Sequence, residues 1–219
     1  MEVRIDNILD MISSYGEEGV REDLDSFSSP QNQEIEDFIR NKSIEFAQRK
    51  LSVSYIVSDA SDGEILGYFT LAHKALDIKG TNLSNTNRRK LGNYARYDQD
   101  EDNYSVSAFL LAQFGKNYAV DEGKRISGTE LMEYAIDILS DIQHRIGGGV
   151  VYLDAEDRPK LTEFYEDKVN TSALENGILK QIRLNTCSIC DSSNKKSIID
   201  SIFETVIIAM AFFSLHLMK

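Results

Sequence analysis

The sequence predicts an α+β fold in which helices precede an antiparallel hairpin, and the hairpin leads into one parallel crossover. Three observations carry this. Apolar residues recur at helical spacing near the N-terminus, they alternate with polar residues from Leu51 onward, and a strand, a long helix and a second strand follow one another over 104–154.

Ile5, Ile8, Leu9 and Ile12 fall on one helical stripe, and Ile35, Phe38, Ile39 and Phe46 form a second between Gln33 and Arg49. The chain is therefore expected to begin with two helices. From Leu51 the period becomes two: Leu51, Val53, Tyr55 and Val57 alternate with serines, Ser61-Asp62-Gly63 supplies a turn, and EILGYFTLA returns as the second strand of a hairpin. The polar stretch from Ile78 to Asn103 reads as a loop with a short helix around 88–97. Tyr104 to Phe114 is a strand whose second half is apolar on both faces, the pattern of a strand covered on both sides. Leu131, Ala135, Ile138, Ile142 and Ile146 stripe a helix over 128–146 that Gly147-Gly148-Gly149 ends. VVYLDA then makes a strand at 150–154, which should lie parallel to 104–114 through a right-handed crossover. Asp157-Arg158-Pro159 opens a last helix through Leu161, Phe164 and Tyr165.

Composition narrows the function classes. With 24 Lys and Arg against 36 Asp and Glu the formal net charge is −12, so the chain as a whole does not attract nucleic acid or anionic lipid, although Arg88, Arg89, Lys90 and Arg96 form a local basic cluster. The first residues carry scattered charges and no uninterrupted apolar stretch, which predicts a cytoplasmic protein without a secretory signal. Two cysteines make no disulfide framework. Cys187 and Cys190 have the spacing of half a zinc site or a redox pair, but no second pair accompanies them, so incidental cysteines are preferred. His73, His144 and His216 fall on separate elements and show no ligand spacing, and no metal site is expected.

The stretch DEGKRISGT, between the strand and the long helix, gathers backbone N–H groups and a helix N-terminus at one place, which attracts phosphate. Ordinary helix capping explains the same residues equally well. Beyond the local signal, the ordered segments SYIVSDASDGEILGYFTLAHKAL, FLLAQFGKN, ISGTELMEYAIDIL and GGGVVYLDAEDRPKLTEFYE resemble successive parts of GNAT-superfamily acetyltransferases. GYFTLA, LLAQFGKN and VYLDAEDRPKLTEFYE are similar to a bacterial subgroup related to the acetyltransferase toxins of toxin–antitoxin systems. The resemblance spans about residues 27–168. It implies a three-layer α/β/α arrangement around a mixed, mostly antiparallel sheet with splayed central strands, and a domain over 1–180 followed by a divergent extension over 181–219.

The resemblance also implies acetyl-CoA as co-substrate and assigns its site. Leu111, Ala112, Gln113 and Phe114 would line the pantetheine arm, and Lys124, Arg125, Ile126, Ser127, Gly128 and Thr129 the pyrophosphate. Of the family's glycines in this loop only Gly128 is kept. Ile126 stands where the pattern has glycine, a bulky side chain where backbone should approach phosphate, while Lys124 and Arg125 offer charge in compensation. Tyr165 matches the tyrosine that members place near the thioester sulfur. A phenol stays neutral at pH 7 and can give its proton to a departing thiolate, so its implied role is general acid. Read without the resemblance, Tyr165 is a core aromatic beside Phe164. Asp154, Glu156 and Gln113 lie near the expected centre, and no single base stands out.

Beyond the resemblance, Asn176-Gly177 followed by ILKQIRL can supply a closing strand, and 197–217 reads as a broadly apolar helix that packs in the core or in a homodimer in preference to a membrane surface. The apolar run over 205–218 is too short to span a bilayer. Two functions from different classes remain. One is an enzyme that acetylates a primary amine of a small molecule, a protein or an aminoacyl-tRNA, with tRNA disfavoured by net charge; the other is a catalytically weak GNAT-like binding or interaction module.

Overall fold

The computed structural model describes residues 2–153 and the backbone of 179–182 and 206–209. The chain divides into two compact units, Met1–His73 with Leu111–Asp141, and Lys74–Leu110 with Ile142–Lys219. Two long strands, β3 (Ile65–Lys79) and β5 (Asn103–Lys116), contribute residues to each.

The first unit opens with a strand where the sequence suggested a helix. Val3–Asn7 forms β1, paired antiparallel with β2 (Val53–Asp59), so Ile5 lies opposite Val57 instead of on the helical stripe. Asn7 marks the switch, because its side-chain oxygen accepts the amide of Leu9 at 2.9 Å and caps α1 (Ile8–Tyr15). Helix α2 (Glu17–Leu24) follows directly. The expected helix over 33–49 is present as α3 (Gln33–Asp37), a π-helical turn at Phe38–Lys42, and α4 (Ser43–Gln48). The π turn advances the helical phase, so that Phe38 and Ile39, and then Ile44 and Ala47, all stay buried.

These helices cover β1 to β3 with one hydrophobic cluster that includes Ile8, Leu24, Phe27, Ile39, Ile56 and Tyr68. Phe27 meets Tyr68 edge-on at 5.1 Å, and the Tyr68 hydroxyl donates to the carbonyl of Ile35 at 2.7 Å. The hairpin predicted from Leu51 is observed, with Val53 opposite Leu71 and a bulge at Val57/Ser58. On its buried polar seam the hydroxyls of Ser54 and Thr70 hydrogen-bond at 2.7 Å. Strand order in this unit is β1-β2-β3-β5. Helix α6 (Gly128–Ile146) occupies the predicted range and buries Leu131, Met132, Ala135, Ile136 and Leu139.

In the second unit the expected loop over 78–103 is largely regular structure. Strand β3 runs on to Lys79, a 3-10 turn follows at Gly80–Asn82, and α5 covers Asn85–Leu91, capped by the Ser84 hydroxyl. Residues 95–97, assigned to a helix from sequence, belong instead to β4 (Ala95–Asp98), which folds back on β5 with Tyr97 opposite Tyr104. The polar DQDED segment that suggested a loop is the hairpin turn. Asp98 Oδ1 accepts the amides of Asp100 and Glu101, and Asp102 takes φ 45°.

Beyond α6, β6 (Val151–Leu153) neighbours β5, and the Phe109 amide donates to the carbonyl of Val150 at 2.9 Å. The closing strand proposed after Asn176-Gly177 is observed as β7 (Leu179–Ile182), antiparallel to β6. The helix expected over 197–217 is overturned at Val206–Ala209, which forms β8 antiparallel to β7. Val206, Ile207 and Ile208 are β-branched, and a short, wholly apolar run carries no period that separates helix from strand. Every pairing whose direction is resolved, β1/β2, β2/β3, β4/β5, β6/β7 and β7/β8, is antiparallel. Among the described residues no helix is long and apolar enough to cross a membrane.

Candidate functional site

All ten residues that the sequence assigned to a cofactor lie in the first unit, on the end of β5 and on the turn that starts α6. Phe109, Leu110 and Leu111 are buried on both faces of β5, and then Ala112, Gln113 and Phe114 are each partly open. Leu111, 2% exposed, belongs to the core side of that transition.

The loop after β5 is fastened by Asn117, itself buried at 2% exposure. Its carboxamide donates to the Ile65 carbonyl at 2.8 Å and accepts the amides of Ser28 at 2.9 Å and Ala119 at 3.0 Å. One side chain thus joins β3, the loop behind α2 and the loop ahead of α6. Gly115 permits the close approach: a Cβ there would strike Ile35 Cγ2 and lie 3.3 Å from both Phe27 Cζ and Tyr68 Cε1.

Ile126, which stands where the pattern has glycine, packs into the interior. The residue is 2% exposed and its side chain turns inward over Gly67, where a Cβ would lie 3.3 Å from Ile126 Cδ1. Arg125, Ser127 and Thr129 around it are exposed. Ser127 caps α6 in a reciprocal box: its hydroxyl accepts the Glu130 amide at 3.1 Å, and its own amide donates to Glu130 Oε2 at 2.8 Å. Among the described residues the amides of Gly128 and Thr129 have no acceptor, and they lie at the positive end of a 19-residue helix. These features fit a phosphate-bearing ligand.

The two cations offered as phosphate partners are engaged elsewhere. Lys124 Nζ donates to Asp62 Oδ2 at 2.6 Å and to Glu64 Oε2 at 3.1 Å, in the turn between β2 and β3. Asp62, then Glu64, raise the lysine above its ordinary range, and Lys124 in turn lowers Asp62. Arg125 lies over the Tyr118 ring and donates to the carbonyls of Val120 and Tyr118, both at 2.9 Å. Glu130 adds a carboxylate at the mouth of the helix. Its carboxyl is held below the usual range by the Ser127 amide and then by the Ser127 hydroxyl.

Sequence reasoning missed Asp62, Glu64, Asn117 and Glu130. The S-x-x-E spacing of Ser127 and Glu130 ahead of an apolar run was readable, whereas the pairing of Lys124 with a turn some 60 residues away was not. Tyr165, Asp154, Glu156, Cys187, Cys190 and His216 lie outside the described residues. Arg88 of the basic run pairs with Asp102 through two nitrogens, at 3.1 and 3.3 Å, and Arg89 and Arg96 are exposed.

The mostly antiparallel sheet, with a strand leading through a capped helix to a neighbouring strand, is a GNAT-like arrangement. No protein-family model matches the chain, and no curated protein matches it. Among solved structures it is similar to AtaT complexed with acetyl-methionyl-tRNAfMet, at 17% identity over 80% of this chain and 91% of that one, with a TM-score of 0.57. It is similar to a tyrosine-to-phenylalanine variant of KacT at 15% identity over 80% and 90%, also with a TM-score of 0.57. A further likeness, at 13% identity over 80% and 88% with a TM-score of 0.52, is to a tyrosine-to-phenylalanine variant of the AtaT toxin bound to the C-terminus of the antitoxin AtaR and acetyl-CoA. Identities this low establish a shared fold.

Proposed function

We propose that this protein is an acetyl-CoA-dependent N-acetyltransferase that transfers the acetyl group directly to a primary amine. The observation that carries the reading is that the first unit holds both the partly open Ala112–Phe114 row at the end of β5 and, at the start of the helix that follows, the Gly128 and Thr129 amides without an acceptor among the described residues. The binding of acetyl-CoA by the AtaT toxin, on the same fold, supports it.

Acetyl-CoA supplies the acyl group as a reactive thioester. Leu111, Ala112, Gln113 and Phe114 would line the pantetheine arm, with β5 main chain as the polar partner. Lys124, Arg125, Ile126, Ser127, Gly128 and Thr129 would present the turn to the pyrophosphate, through backbone amides above all. Tyr165 would hold its proton until the C–S bond breaks and then give it to the departing thiolate, while water carries the proton away from the amine. AtaT is complexed with an acetylated methionyl-tRNA, which makes the amino group of an aminoacyl-tRNA the first acceptor class to try. The net charge of −12 weighs toward smaller amines.

The engagement of Lys124 by two carboxylates favours a second reading, a GNAT-like interaction module with weak cofactor affinity. Calorimetric titration with acetyl-CoA, followed by thiol release with a panel of amines and aminoacyl-tRNAs, separates the two. Specific binding and turnover that falls by about 10²-fold or more in Tyr165→Phe, with unchanged circular dichroism, is the result expected of the enzyme. A folded protein that binds no acetyl-CoA at millimolar concentration would leave the interaction module.

A further inference from the structure

The phosphate-facing turn is surrounded by carboxylates belonging to the same chain. Asp62 and Glu64 hold the ammonium of Lys124, the one lysine of the turn, and Glu130 holds the amide of Ser127. The β2–β3 turn is built to keep the first two in place: Glu64 donates its amide to Asp62 Oδ1 at 3.0 Å, and Asp59 donates its amide to the Glu64 carbonyl at 2.9 Å while its side chain takes the amide and hydroxyl of Ser61. The carboxylate side of the clasp is therefore preformed.

We propose that Asp62, Glu64 and Glu130 act as internal competitors of the nucleotide: binding proceeds by exchange, with Lys124 leaving its two carboxylates for the phosphates and the Glu130 carboxylate giving way at the helix N-terminus. This rests on the cofactor reading above and deepens it, because it states what the ligand must displace. An anion arriving at this turn gains the amides of Gly128 and Thr129, but meets a like charge at Glu130 and a cation already neutralised. Affinity is set lower than the same backbone would give. The acids are then affinity-tuning residues, and neutralising them is a gain of binding rather than a loss.

The test is calorimetry with CoA on the full chain, using wild type, Asp62→Asn with Glu64→Gln, Glu130→Gln, and all three together. Each replacement keeps a hydrogen-bonding oxygen, and glutamine is an accepted partner in this type of cap, so the fold is preserved. Asp137→Asn on the same helix is the control. It removes the same charge about two helical turns away, roughly 10 Å, a distance at which salt screens exposed charges.

Expected is a roughly two- to five-fold tighter Kd for the turn variant and for Glu130→Gln, and more for the combination, with Asp137→Asn unchanged. In the turn variant, Lys124→Met should then cancel the gain, while in wild type it should change little. A turn variant that binds CoA as wild type does, or more weakly, overturns the proposal and makes the clasp a positioning contact. Equal tightening by Asp137→Asn also overturns it, in favour of net charge alone. If folded wild type and every variant fail to bind CoA, the cofactor reading itself falls, an outcome distinct from wild-type binding without gain.

Discussion

Replacing Ile126 by alanine or glycine tests whether the turn before α6 is anchored from inside. Ile126 is 2% exposed and its Cδ1 fills the space above Gly67, beside Leu131. Truncation to alanine loses transfer free energy of about 0.8 kcal/mol for each carbon removed beyond Cβ, or about 2.5 kcal/mol, and the cavity left against the strand raises this to about 3 kcal/mol. Glycine adds about 1 kcal/mol of backbone entropy. Urea unfolding should show midpoints falling in the order wild type, Ile126→Ala, Ile126→Gly. CoA titration should show weaker binding in both variants, because a turn without its anchor no longer holds the Gly128 and Thr129 amides in place. Ile126→Gly supplies the glycine of the pattern that the sequence resembles, so the opposite expectation is equally definite. Tighter CoA binding with an unshifted urea midpoint would refute the inward placement and put the side chain between backbone and ligand.

Asn117→Ala should cost about 2–3 kcal/mol in urea unfolding, since it strands the buried Ile65 carbonyl and removes the acceptor of the part-buried Ser28 and Ala119 amides; a loss under about 1 kcal/mol would mean these groups find other partners. Gly115→Ala should destabilise by about 1–3 kcal/mol through overpacking against Ile35, Phe27 and Tyr68, and Ile35→Ala in the same chain should recover part of it. The folded Glu130 carboxyl is depressed below its unfolded value of 4.5, so its contribution is complete above that pH and is lost as pH falls through the folded value. The stability gap between wild type and Glu130→Gln should therefore close on acidification below about pH 4.5, and a gap constant down to about pH 3 would remove the carboxylate from the cap.

The hairpin from Leu51, the strand ending near Phe114 and the helix over 128–146 were legible because each has a clean period and a marked end. The N-terminus was not, since Ile5, Ile8, Leu9 and Ile12 satisfy a helical stripe while Val3 and Ile5 also satisfy a strand. Pairing with β2 decides between them, and Asn7 is the local sign of the break. The stretch over 78–103 misled for a related reason. Its acids suggest solvent, yet Asp98 and Asp102 are the residues that make a hairpin turn there. The apolar run at Val206–Ala209 has no period at all, and its partner strand β7 gives it its conformation.

At the candidate site the elements and the order of the segments could be read along the chain, and so could the proposal of ten residues on the end of β5 and the turn after it. Those depend on local pattern, capping chemistry and an ordered resemblance, all written along the chain. Only the tertiary structure decided what the side chains do: Ile126 points inward because Gly67 on a neighbouring strand leaves room, and Lys124 is neutralised because a distant turn brings Asp62 and Glu64 within 3.1 Å. Steric fit and charge pairing act through space, and their partners are fixed only when the sheet brings remote strands together.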